Sequence, residues 1–170
     1  MPRQKYTYEE WCAAVEEHVH MLGPIQEPML ASGICFAAVY EDGHNIVHIP
    51  ESMMSHELCL VAVQQDGNMI IHIPESMMSY EICLAAVQQN SSVIIHIPKS
   101  MLTHEIYLTA VQQDCYMILH VPDSMLTYEI CLAAIQQDKV LMNSHVRGRM
   151  KRPEFPENQL AACNTLFQNP

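Results

Sequence analysis

Basic side chains are nearly absent from the body of this 170-residue chain. Between Tyr6 and Asp138 stand 17 acidic residues and a single basic one, Lys99. That balance excludes a nucleic-acid-binding surface, because phosphates would meet like charge. Glycine is also scarce, with five in the chain, and none belongs to a phosphate-cradling loop. No G-x-S-x-G elbow occurs, and no cysteine has the electropositive setting that a thiolate nucleophile needs. The expectation is therefore a protein that is not an enzyme, with Cys12, Cys115 and Cys163 as the only thiols worth testing for reactivity. Although 49% of the residues are hydrophobic, no run approaches the roughly 18 apolar residues of a membrane span. The first ten residues turn acidic and lack the apolar core of a signal peptide.

What the chain has instead is repetition. "HIPESMMS" stands at 48–55 and again at 72–79, with looser copies "HIPKSMLT" at 96–103 and "HVPDSMLT" at 120–127. Words like "YEICLAAVQQ" start at Tyr8, Ser32, His56, Tyr80, His104 and Tyr128, each 24 residues after the last. Such regularity marks units that occupy equivalent places in a stack and touch mainly their neighbours.

Within residues 79–90, a 100° helical step gathers Ile82, Ala86, Cys83, Val87, Tyr80 and Leu84 on one arc. Glu81 and Gln88 fall opposite, Ala85 lies beside them, and Gln89 sits at the border. This is an amphipathic helix with an apolar arc wide enough for two neighbours. Ser79, Thr103 and Thr127 stand at the N-cap position, and Gly67 is placed as a C-terminal cap. The remaining "MIIHIPESMMS" reads as a short helical turn over 69–73 and a second short helix over 74–78, because Pro74 suits a first turn. The paired methionines at 53–54 and 77–78 read as fillers of core gaps.

The expected fold is all-α, a right-handed solenoid of six 24-residue helical repeats with capping ends. A leucine-rich-repeat-like β/α solenoid, with "MIIHI" as a strand, is the alternative. Residues 1–152 read as one repeat domain and 153–170 as a C-terminal capping helix, begun near Pro156 and apolar along Leu160, Cys163 and Phe167.

"LAAVQQDG", an apolar stretch, "IPESM" and a Glu-bearing helix start together resemble a short tandem repeat family of unknown function. Its members read L-A-A-V-[KQ]-Q-[ND]-G and form arrays in giant viruses, protists and intracellular bacteria, candidate effectors among them. The likeness covers most of residues 32–142. The chain departs from that pattern at Tyr80, His56 and His104, where the family often has an acid. The resemblance implies a small helical array with an interaction role, delivered into a host cell in some members, and it brings no catalytic residues.

Ten histidines and seven cysteines raise the question of metal. His48, His72, His96 and His120 form one column of the repeat, and Cys35, Cys59, Cys83 and Cys131 another, completed by Trp11 and Tyr107. Equivalent positions of packed helical units stand about 8–10 Å apart, whereas zinc ligands lie about 2.0–2.3 Å from one ion. A column therefore cannot share an ion, nor can its cysteines pair, since disulfides need Cα atoms within about 7 Å. No C-x-x-C or H-E-x-x-H spacing occurs, so no metal and no cofactor is expected. The cysteines read as small buried hydrophobes and the histidines as rings packed between isoleucines.

A metal- or pH-responsive protein using mixed Cys and His sites is the second functional reading. The leading one is a protein-interaction module. Its expected binding face is the polar stripe of Glu57, Gln64, Glu81, Gln88, Glu105, Gln112, Glu129 and Gln136, and its partner a protein, basic or host-derived. Seven thiols without a disulfide framework point to a reducing cytoplasm, the cell's own or a host's. The basic segment at 147–152 reads as a solvated exit from the fold.

Overall fold

Four of the five helices described begin where a hydroxyl can close the first turn. In the computed structural model, which describes residues 28–138 and residue 148, α1 spans Pro28–Glu41, α2 His56–Gln65, α3 Tyr80–Gln89, α4 His104–Gln113 and α5 Tyr128–Gln137. Ser55, Ser79, Thr103 and Thr127 accept from the backbone N–H of Leu58, Ile82, Ile106 and Ile130, as the sequence predicts. Glu57, Glu81, Glu105 and Glu129 stand in the first turns, where the helix dipole favours a negative charge.

The helices do not end on Gly67. No glycine among the described residues has a positive φ, so no left-handed cap forms there. The stop is Asp66 instead. Its backbone is extended, at φ −141° and ψ 113°, and its N–H gives the last bond to the carbonyl of Ala62 at 3.0 Å. Its carboxylate then turns forward and accepts from the N–H of Asn68, capping the next element. Asp42, Asn90 and Asp114 repeat this at His44, Ser92 and Tyr116. One side chain thus finishes a helix and starts another, which local hydrogen bonding by Asp and Asn makes possible.

The elements started in this way are 3-10 helices, over Gly43–His48, Gly67–His72, Ser91–His96 and Cys115–His120. The strand alternative for "MIIHI" is set aside by its burial. A strand would put residues 69, 71 and 73 on one face, yet Met69 and Ile73 are buried while Ile71 is 54% exposed. In a 3-10 helix residues i and i+3 eclipse, which lines up Gly67, Ile70 and Ile73, all buried. The chain then passes through Pro74 at φ −57° and ψ 142° into a single 3-10 turn, Glu75–Met77. Pro74 accepts from the N–H of Met77 at 2.9 Å and so precedes this turn. The helical reading of the segment holds, with the second helix shorter than the expected 74–78. Among the described residues there is no strand.

The chain divides into two compact units, Met1–Gln89 and Asn90–Pro170. In the first, α1 packs on α2 and α2 on α3, with the 3-10 segments 43–48 and 67–72 side by side against the helices. In the second, α4 packs on α5, flanked by the segments 91–96 and 115–120. Each core repeats four helix positions, Leu58, Cys59, Ala62 and Val63 in α2 or Ile82, Cys83, Ala86 and Val87 in α3. Ile46, Ile70, Ile94 and Ile118 join them from the 3-10 segments. Each such isoleucine contributes about 1.5–3 kcal/mol relative to exposure. Tyr80 leaves the apolar arc, at 39% exposed. It holds the first helical position, whose occupant in α2 and α4, His56 or His104, reaches sideways to the next cap, Ser79 or Thr127, at 2.8 Å. The paired methionines are half-buried. The expected capping ends, the first repeat and the boundary at 152–153 lie outside the described residues.

Candidate functional site

All eight residues of the expected binding face are exposed. Within each helix the Glu and the Gln stand seven residues apart, close to two full turns, so Glu57 and Gln64 share a face about 10 Å apart along the axis. Helix packing sets Glu57 and Gln64 beside Glu81 and Gln88 on the first unit. On the second it sets Glu105 and Gln112 beside Glu129 and Gln136. Each unit therefore carries its own acidic face. His56 Nε2 lies 3.9 Å from Glu81 Oε2 on this face, and its stronger partner is the Ser79 hydroxyl.

In two of the four pairs the second glutamine, Gln65 or Gln137, behaves differently, and the helical wheel misses it. Gln65 donates through Nε2 to the carbonyls of Val39 and Tyr40, at 3.1 and 2.7 Å, and its Oε1 accepts from the N–H of Gly43 at 2.6 Å. Gln137 does the same to Val111, Gln112 and Cys115. These carbonyls end the preceding helix and lack intrahelical partners. The clamp needs a small residue where it meets the 3-10 start. A Cβ on Gly43 would stand 3.0 Å from the carbonyl oxygen of Ala62 and 3.1 Å from Gln65 Cβ. With Cys115 at that register the clamp bond is 3.0 Å.

The cysteine column lies in the core: Cys35, Cys59, Cys83 and Cys131 are buried, and none is joined in a disulfide. Burial pushes the thiols of Cys35, Cys59 and Cys83 up, against a weaker lowering by a backbone hydrogen bond. Cys115 is raised first by burial and then by the charges of Asp114 and Asp138, the opposite of what a nucleophile needs. Cys12 and Cys163 lie outside the described residues.

The histidine column is not packed between isoleucines. His48, His72, His96 and His120 are all exposed, because the three-residue period turns residues 70 and 73 inward and leaves 71 and 72 outside. Val47, Ile71, Ile95 and Leu119 accompany them as exposed aliphatics. His44 and His48 do have an H-x-x-x-H spacing. In a 3-10 helix four residues overshoot a turn by about 120°, so the rings diverge, and His44 bridges Asp42 and Asp66 at 3.0 and 3.2 Å instead. The His44 N–H groups hold the Asp42 carboxyl below its usual range. Among the described residues no three His, Cys, Asp or Glu side chains gather as a metal site.

The second unit also carries an open groove of about 650 Å³ between its two 3-10 segments and the turns that come after them. Ile95, Leu102 and Met125 form apolar walls, and Lys99, Tyr107 and His120 supply the polar groups. Nothing in the repeat pattern marks a cavity, but two of these residues depart from it. Lys99 stands where Glu51, Glu75 and Asp123 stand, and Tyr107 where the other helices hold cysteine.

A family model for a domain of unknown function, DUF4116, matches residues 55–102, the span of two 24-residue repeats. No curated protein and no solved structure matches the chain. Among the described residues no helix is long and apolar enough to cross a membrane.

Proposed function

We propose that the chain is a non-enzymatic protein-interaction module, a right-handed solenoid of six 24-residue repeats that presents its acidic Glu/Gln faces to a basic protein partner. The observation that carries this reading is the exposure of Glu57, Gln64, Glu81, Gln88, Glu105, Gln112, Glu129 and Gln136 on helices whose neighbouring positions are buried. Extended surfaces of recurring side chains are how stacked repeats bind, and an acidic one speeds encounter with a basic partner. The buried, upshifted thiols support a structural use of the cysteines over a catalytic one. A reducing cytosol, the cell's own or that of a host receiving the protein as an effector, suits free cysteines.

Changing Glu57, Glu81, Glu105 and Glu129 to lysine tests the reading. Helical circular dichroism stays at the wild-type level, while proteins captured at low salt are lost. Capture that survives the four changes counts against the acidic faces. A second reading, pH-responsive binding, is favoured by the exposure of His48, His72, His96 and His120 beside exposed aliphatic residues. Protonation would place charge along an apolar edge. Partner affinity unchanged between pH 7.5 and 5.5 removes that reading.

A further inference from the structure

We infer that the groove of the second unit binds a small amphipathic monocarboxylate, with its aliphatic part against Ile95, Leu102 and Met125 and its carboxylate held by Lys99 and the Tyr107 hydroxyl. This does not rest on the interaction reading. It begins with two breaks in the repeat that meet in one place. Lys99 replaces an acid and Tyr107 replaces a cysteine, and both line this groove.

Tyr107 is only 5% exposed, and its hydroxyl makes no hydrogen bond among the described residues. Polar groups of buried side chains are rarely left without a partner, and Tyr107 lines the groove from which one could come. Desolvation also pushes the hydroxyl up, which keeps it a neutral O–H donor near pH 7. An acceptor entering the groove would satisfy it.

Lys99 fixes the sign of that acceptor. It is the one basic residue between Tyr6 and Asp138, it is exposed, and it forms no ion pair among the described residues. Among residues 6–138, where 17 acids stand, it is the one Lys or Arg to attract an anion. One ammonium and one hydroxyl match the single charge of a carboxylate. A phosphate's higher charge would call for a second cation or an arginine fork, and the lining holds no second Lys and no Arg. The apolar walls require a tail, and about 650 Å³ lies within the roughly 300–1,000 Å³ of small-molecule sites.

Isothermal titration of the full chain with sodium decanoate, kept below its micellar concentration, tests the assignment, with decanol as the uncharged control. Saturable one-to-one binding of decanoate and a much weaker response to decanol are expected. Lys99→Glu restores the residue that the other repeats carry, so the fold tolerates it. It should weaken decanoate binding about tenfold or more through lost attraction and added repulsion. Tyr107→Phe keeps the ring and should cost about three- to tenfold, the worth of one hydrogen bond. Melting temperatures measured alongside confirm that the variants are folded. Equal binding of decanol, an undiminished Lys99→Glu variant or absence of saturation overturns the proposal. So does saturation by a peptide with a C-terminal leucine when decanoate fails, because the groove would then be a peptide site.

Discussion

At Gln65 one amide spans the gap to the preceding repeat, donating to Val39 and Tyr40 and accepting from Gly43, while Gln64 beside it faces water. Truncating each to alanine should separate the two roles. Gln65→Ala loses three hydrogen bonds, two of them at part-buried groups, and chemical denaturation should show a loss of about 1–3 kcal/mol. Gln64→Ala should stay within about 0.5 kcal/mol; equal losses would refute the division. The helical wheel places the first glutamine of each pair outside and the second at the border. It cannot say which border residue finds a partner, because that partner is a carbonyl 25 or 26 residues earlier in the chain. The cysteines were more legible, since they stand inside an apolar arc. Their raised thiols carry little thiolate near neutral pH, so iodoacetamide at pH 7.5 should leave Cys59 and Cys83 unlabelled until denaturant is added. Rapid labelling of the native chain would contradict the buried column.

Helix starts were readable to the residue from α2 to α5, because a hydroxyl before a Glu-bearing apolar run leaves little choice. The segments between them were readable as short helical pieces but not as 3-10, and there the histidines were misplaced. An Ile-Ile-His-Ile string offers three residues fit for a core. Only the three-residue twist decides that Ile70 and Ile73 enter while Ile71 and His72 stay out. That twist begins at the aspartate cap, so Asp66→Ala should cost about 0.5–2 kcal/mol. It should also speed amide exchange of Asn68 and Met69 ahead of the flanking helices. Uniform exchange across both would mean that the cap does not set the segment. The groove was illegible for a further reason: its members come from different repeats, and only their departures from the pattern mark it.

Over the whole molecule the formal net charge is −11, and Lys99 is the one Lys or Arg among residues 6–138. His44 pairs with Asp42 and Asp66, and His56 lies near Glu81. Like charges at the same register of successive repeats repel, and salt screens them as the Debye length falls from about 30 Å at 0.01 M to about 8 Å at 0.15 M. The melting temperature should therefore rise by a few degrees over that range. A fall would mean that favourable pairs outweigh the repulsion. The same repulsion opposes contact between two acidic faces, in keeping with the basic partner proposed above.

The glutamine clamp gives the chain a direction. Gln65 completes the end of α1 and Gln137 the end of α4; in each case the later repeat supplies the side chain and the earlier one the open carbonyls. Completion therefore runs backward along the sequence. For this contact alone, cutting away a preceding repeat returns a glutamine to water, whereas cutting away a later one leaves helix-end carbonyls open. Cuts at either end expose apolar core, so the clamp adds to the cost of a cut at the back only.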